Sequence, residues 1–142
     1  MSLGQAISTC FRKYATFSGR ARRSEFWWFF LFVYVVGLIL VWVDGLLGLQ
    51  VGASTQEVMI NDTAVPLVSS GFGVLSSIFG LATLIPGIAV FVRRVHDSNK
   101  SGWLALLSYV LILACGIGLI LQLILGLLKS TPGDNKYGPE TA

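Results

Sequence analysis

The stretch Phe26 to Leu49, FWWFFLFVYVVGLILVWVDGLLGL, carries a single charge, Asp44, near its far end. About twenty consecutive apolar residues suffice for a helix to cross the hydrocarbon core of a bilayer. The stretch therefore reads as a membrane span over residues 26–49, and the remaining sequence is arranged around it. Ser24 and Glu25 precede it, as a cap and as a negative charge favourable at a helix N-terminus. Gln50 to Val65 follows as a polar loop holding Glu57, Asn61 and Asp62 but neither Lys nor Arg.

Two further uncharged stretches repeat the pattern. Pro66 sits where a first helical turn tolerates it, which predicts a second span over 66–92 with Pro86-Gly87 inside it. A proline there removes a backbone donor and clashes with the preceding turn, so a kink is expected, with Thr83 placed to satisfy a freed carbonyl. The third stretch, 101–128, would be roughly 42 Å long as one helix against a core of about 30 Å. It must tilt, protrude or break. The expectation is one tilted span, because mismatch is often absorbed by tilt and no Pro or charge marks a turn; the alternative is a break into two half-helices at Gly116-Ile117-Gly118.

Composition agrees with a single membrane domain over 1–142. Hydrophobic residues make up 54% of the chain and charged ones 12%, about half the charged share of a soluble domain. A net charge of +3 is too modest to point to nucleic acid. Cys10 lies in a polar segment and Cys115 in an apolar one, so no disulfide joins them. No cleavable signal peptide is read at the N-terminus, and the first span is expected to be retained. In the N-terminal segment Ile7, Cys10, Phe11, Tyr14 and Phe17 recur at steps of three and four. This predicts an amphipathic helix over 3–17, started by a Ser2/Gln5 capping box and stopped at Ser18-Gly19. It lies either on the membrane surface or against the rest of the protein.

The distribution of positive charge sets the orientation. Arg12, Lys13, Arg20, Arg22 and Arg23 precede the first span, and Arg93, Arg94 and Lys100 fall between the second and third, so eight of the ten basic residues share one side. Lys and Arg are retained in the cytoplasm during insertion, which puts the N-terminus inside. Three full spans then leave the polar tail 129–142 outside. A hairpin at 101–128 would return the tail to the inside, with Lys129 and Lys136.

Several residues are candidates for function. Ser69, Gly73, Ser76, Gly80, Thr83 and Gly87 form a seam of small residues on the second span, and Ala105, Ser108, Cys115, Gly118, Gln122 and Gly126 a looser one on the third. Small residues let helix backbones approach closely, so these seams pack helices together or support self-association as a homo-oligomer or around a pore. Asp44 reads as a helix-ending carboxylate or as an ion site, with Gln122 as a candidate partner. The turn Arg93-Arg94-Val95-His96-Asp97 holds the one His of the chain, short of the three or four ligands a metal site needs. It reads as a tight turn in which Asp97 pairs with an arginine, or as a site for phosphate-bearing ligands or an acidic partner segment. No phosphate loop, dinucleotide fingerprint, zinc pattern or activated nucleophile occurs, and neither enzymatic activity nor a cofactor is expected.

Three blocks carry a family likeness: Phe17-Ser18-Gly19-Arg20-Ala21-Arg22-Arg23-Ser24-Glu25-Phe26-Trp27, then Arg93-Arg94-Val95-His96-Asp97 with Ser101-Gly102-Trp103, then Thr131-Pro132-Gly133-Asp134-Asn135-Lys136-Tyr137-Gly138-Pro139. In this order they resemble the small bacterial inner-membrane proteins of the YhaH and YhaI type, domain of unknown function 805. Ser98-Asn99-Lys100 stands where members carry Thr-Gly-Arg. The resemblance implies an inner-membrane location and no established activity. Together these readings predict an all-α polytopic membrane protein of three transmembrane helices preceded by an amphipathic surface helix. Its basic face, with Arg20, Arg22, Arg23, Arg93, Arg94, His96 and Asp97, is expected to bind anionic lipid headgroups or a partner protein, and a small oligomeric transporter or channel is the alternative.

Overall fold

The structure, a computed structural model, describes residues 1–52, 54–60, 63–69 and 71–140, with the backbone alone for 54–60, 63–69 and Cys115. Helix α1 (Leu3–Arg12) is followed by α2 (Arg23–Leu47) and by the strands β1 (Gln50–Val51), β2 (Ser54–Ile60), β3 (Thr63–Ser69) and β4 (Phe72–Gly73). The helices α3 (Val74–Asp97), α4 (Trp103–Cys115) and α5 (Gly118–Leu127) complete the order. Contacts divide the chain into one unit of residues 1–32 and 83–142 and another of Val33–Ala82.

Among the described helices, α2 and α3 are long and apolar enough to cross a membrane. Leu31, Val35, Leu38, Ile39, Trp42 and Leu46 all leave α2 exposed. An apolar surface of that extent on a helix is compatible with lipid rather than water. The helix ends where Gly48 takes φ +64°, and the Leu49 amide donates to the Asp44 carbonyl at 2.9 Å. This is the left-handed glycine stop that satisfies an orphan carbonyl.

The helix α3, read from sequence as the second span, differs from its predicted bounds of 66–92. Pro66 lies in β3, paired in antiparallel register with Glu57 of β2, and the helix starts only at Val74. The segment is rich in β-branched residues (Thr55, Val58, Ile60, Thr63, Val65, Val68), which favour a pleated backbone over a helix. In a two-stranded hairpin both strands are edges, so a proline without an N–H is tolerated. Asn61 and Asp62, read as part of a polar loop, lie outside the described residues. At its other end α3 runs past Val92 to Asp97 because Arg93 and Arg94 are buried and paired rather than solvated.

The predicted single helix over 101–128 is corrected to two. Gly116 takes φ +72°, which a continuing right-handed helix cannot hold, and its amide donates back to Ile112 O. At thirteen and ten residues, α4 and α5 are about 20 Å and 15 Å long, too short for either to cross alone. They fold back on each other: a side chain at Gly118 would collide with the Ser108 carbonyl and the Ile112 amide. The looser seam is what this hairpin buries, with Ala105, Ser108, Gly118, Gln122 and Gly126 all inside; the Cys115 side chain lies outside the described residues.

Helix α1 starts as predicted, with Ser2 and Gln5 in a reciprocal capping box, but stops at Arg12 rather than Phe17. Residues 13–19 are needed to turn the chain, so that the Ala21 amide reaches the Arg93 carbonyl at 3.0 Å. Ala6 and Cys10 are buried, and Phe11 meets Phe29 edge-on at 5.9 Å, so α1 packs on its own unit. The core there is Phe26, Phe29, Ala89, Val90, Phe91 and Val95, with Phe26 stacked on Phe91.

Candidate functional site

The segment before α2, the last turn of α3 and the tail converge on Asp97. Its carboxylate receives Arg20 Nε at 2.8 Å on Oδ1, while Arg94 Nη1 and the Ser130 hydroxyl donate to Oδ2. Asp97 and Arg94 are fully buried and Arg20 is 7% exposed. A buried charge is tolerated only when it is paired and its remaining donors are bonded. The backbone supplies those bonds. Arg20 donates to the Gly133 and Thr131 carbonyls, each at 2.7 Å, and Arg94 donates to the carbonyls of Gly126 (3.2 Å) and Leu128.

Gly126 and Leu128 belong to the C-terminal end of α5, whose carbonyls have no intrahelical partner. Arg94 and Arg23 together take the place of a C-cap, with Arg23 Nε and Nη2 reaching Leu128 O at 3.1 and 3.0 Å. Positive charge at this end also complements the helix dipole. The tail is tied a second time where the Thr131 amide donates to Asp97 O at 2.9 Å and Asn135 Nδ2 to His96 O at 3.1 Å. His96 then stacks flat on Tyr137, with ring centres 3.8 Å apart.

Beside this cluster, Glu25 accepts Arg93 Nη1 at 2.6 Å, both side chains being buried. The sequence placed Glu25 as a helix-terminal charge; its partner lies sixty-eight residues on and only the fold reveals it. The Cys10 thiol lies 3.9 Å from the same carboxylate. Burial, and then the charge of Glu25, push that thiol from 9.0 up to about 12, so it stays protonated and unreactive near neutrality. Of the seven residues expected to form a binding face, Arg20, Arg94 and Asp97 are buried in mutual bonds, Arg93 is buried against Glu25, His96 is half-buried, and only Arg22 and Arg23 are exposed.

In the other unit Asp44 is fully buried, and it caps the next helix rather than its own. Oδ1 accepts the Leu75 amide at 2.9 Å; Oδ2 accepts the Ser76 amide and hydroxyl, each at 2.8 Å. These are the orphan donors of the α3 start, at the positive end of its dipole. The Gln122 side chain bonds Tyr109 instead. Of the small-residue seam, Gly73 lies so close that any side chain there would strike the Asp44 carboxylate, and Ser76 bonds it. Thr83 is buried, whereas a Cβ at Gly80 would meet nothing within 4 Å and one at Gly87 only the Tyr109 hydroxyl at 3.8 Å. Ser69 lies in β3, and its side chain is outside the described residues.

The sequence profile of the family described as "Protein of unknown function (DUF805)" matches residues 14–139. The chain is 33% identical over 129 residues to the inner membrane protein YhaH of Escherichia coli (strain K12), which covers 91% of this chain and 89% of that protein. It is 35% identical over 127 residues to the inner membrane protein YhaI of the same organism, covering 89% and 86% respectively. No solved structure matches.

Proposed function

The chain belongs to the DUF805 family of proteins of unknown function, whose named relatives are inner membrane proteins, and from that premise we propose a non-enzymatic membrane module that gathers anionic lipid at a basic cytoplasmic face. In this reading α2 and α3 span the bilayer, α4 and α5 enter and leave it from the same side, and α1 rests at the inner interface. The N-terminus, the turn after α3 and the tail are all cytoplasmic. In this reading every Lys and Arg lies on that side, a fuller agreement with the retention of positive charge than three spans allow.

The observation that carries the reading is the division of labour among the cations. Of ten Lys and Arg, three (Arg20, Arg93, Arg94) are buried and bonded, which leaves seven: Arg12, Lys13, Arg22, Arg23, Lys100, Lys129 and Lys136. All seven are exposed and all belong to the same unit. Near an anionic leaflet each is worth about 1 kcal/mol of attraction. The buried arginines thus shape the surface, and the exposed ones act on it.

Two measurements test this. A reporter fused after Ala142 should be active only in the cytoplasm; a periplasmic signal would remove the re-entrant reading. Protein purified from vesicles of equimolar phosphatidylglycerol and phosphatidylcholine should retain the anionic lipid preferentially, and a variant with Arg12, Lys13, Arg22 and Lys100 changed to Gln should lose most of that preference. A transporter reading finds less support, because both oxygens of Asp44, on which it relies, are taken by the first turn of α3.

A further inference from the structure

A groove of about 550 Å³ lies in the unit of residues 1–32 and 83–142, among α3, α4, the turn between them and the tail. Its length is apolar, formed by Phe17, Ile88, Val92, Trp103 and Leu106, and one end is polar, formed by His96, Ser101 and Tyr137. Among the described residues no carboxylate lines it. Two exposed cations adjoin its lining residues in the chain: Lys136, next to Tyr137 and with its ammonium 5.0 Å from the centre of that ring, and Lys100, next to Ser101. Neither has a carboxylate partner among the described residues.

The groove is built rather than left over. Gly102 is packed so tightly that a Cβ there would lie 2.8 Å from His96 Nε2 and 2.9 Å from Val92 Cγ1, which brings the start of α4 down onto α3 and opens the space behind Trp103. The flat stack of Tyr137 on His96 closes its polar end. Trp103 remains 76% exposed at the rim, in the amphipathic position that indole rings take at headgroup level.

We propose that this groove is a specific site for one anionic phospholipid, with an acyl chain along Ile88, Val92, Trp103 and Leu106 and the phosphate between Lys100 and Lys136. The inference rests on the membrane reading given above and adds to it a place and a stoichiometry. Charge complementarity selects the occupant. An apolar groove whose lining residues Ser101 and Tyr137 are each preceded in the chain by an exposed lysine without a carboxylate partner among the described residues matches a molecule with a long hydrocarbon chain and a negative head, and disfavours both a zwitterionic lipid and an acidic water-soluble ligand. The first turn of α4, which has no side-chain cap and no acidic residue, adds a weaker pull on the same head group.

The test uses the full chain with Trp27→Phe, Trp28→Phe and Trp42→Phe, so that Trp103 alone fluoresces, reconstituted in vesicles containing either brominated phosphatidylglycerol or brominated phosphatidylcholine. Quenching should saturate at a lower fraction of phosphatidylglycerol than of phosphatidylcholine. Lys100→Gln and Lys136→Gln should each reduce that preference about fivefold, the equivalent of about 1 kcal/mol, while Lys136→Arg keeps it. Equal quenching by the two lipids would overturn the site, and quenching by neither would mean that protein covers the groove, which overturns it as well. Retention of phosphatidylglycerol by the whole protein, measured separately, distinguishes the two proposals: equal quenching with retention intact removes the groove alone.

Discussion

In one unit Asp97 is neutralised by two guanidinium groups; in the other Asp44 is neutralised by the two N–H groups and the hydroxyl that open α3. Both carboxylates are fully buried and both sit in the last turns of a helix. The difference lies in what each arrangement ties together. Asp44 joins the end of one helix to the start of the next through partners thirty-one and thirty-two residues away. Asp97 joins the chain before α2, the end of α3 and the tail beyond α5, and its cluster carries three arginines for two carboxylates when Arg93 and Glu25 are included. The third positive charge is held by carbonyls at the end of α5 and in the tail. A helix terminus acts as a counter-charge in each case, an N-terminus for Asp44 and a C-terminus for Arg94.

The largest effect should follow from breaking the arginine cluster. Asp97→Ala leaves Arg20 and Arg94 buried without their carboxylate, and uncompensated buried charge costs about 3–5 kcal/mol. Thermal unfolding in detergent should show a large loss, and protease should cut after Leu128 before the helices open. Removing the tail's hold in this way leaves Asp44 and its cap in place, so the Val33–Ala82 unit should keep its protection against hydrogen exchange. Simultaneous loss of protection in both units would break the comparison.

Next in size is the cap itself. Asp44→Ala removes the acceptor for the first donors of α3, a loss of about 1–2 kcal/mol for a helix N-cap. Asp44→Asn should retain part of the stability through its one carbonyl oxygen. Gly73→Ala tests the same carboxylate from the other direction: the added methyl collides with Oδ2, and overpacking costs about 1–3 kcal/mol. Hydrogen exchange at Leu75 and Ser76 reports both changes, and unaltered protection there would remove the cap.

These two sites also mark how far the sequence could be read. The long apolar run with one charge fixed the extent of α2 to within three residues, and Ser2 with Gln5 fixed the start of α1, because helix periodicity and capping are local. The arginine block and the Arg-Arg-x-His-Asp turn were visible as charge. That they would be buried together was not, since only the folded chain brings Arg20 within 2.8 Å of Asp97, seventy-seven residues away. The β2–β3 hairpin was hidden because β3 is uncharged over Thr63–Ser69 and so extends the apolar pattern of α3 without a visible break, while β2 with Glu57 reads as a polar loop. Gly116 was marked as a breaking point, but the cost of mismatch does not decide between tilt and fracture. The close approach of Gly118 to the backbone of α4, a tertiary contact, does.

A smaller effect concerns the Cys10 thiol, which lies beside the Glu25–Arg93 pair. Its pKa is raised on folding from 9.0 to about 12, so the folded state disfavours the thiolate. The stability this contributes is fully present below pH 9 and is lost as pH rises from there towards 12. In a Cys115→Ser background, maleimide should label Cys10 slowly at neutral pH and at the rate of an ordinary thiol once the chain is unfolded. Asp97→Ala should speed that labelling more than Asp44→Ala does, because only the first site shares a unit with Cys10. Equal acceleration by both would mean that the two units open together.

The smallest effect is expected at Gly80, and there a null result is informative. Gly73 and Gly80 are one heptad apart in the seam of small residues, and sequence alone gives them the same role. In the folded chain a side chain at Gly73 meets Asp44, while a Cβ at Gly80 meets nothing within 4 Å. Gly80→Leu should therefore cost less than about 0.5 kcal/mol of stability, the usual range for a surface position. The gain in helix propensity, roughly 1 kcal/mol at most for replacing glycine, sets the upper limit of any stabilisation. A large loss in dilute detergent, or a change in oligomeric state measured by cross-linking in membranes, would show that Gly80 is covered by another copy of the chain. In that case its seam would serve association between molecules, and the seam from Ala105 to Gly126 the packing within one.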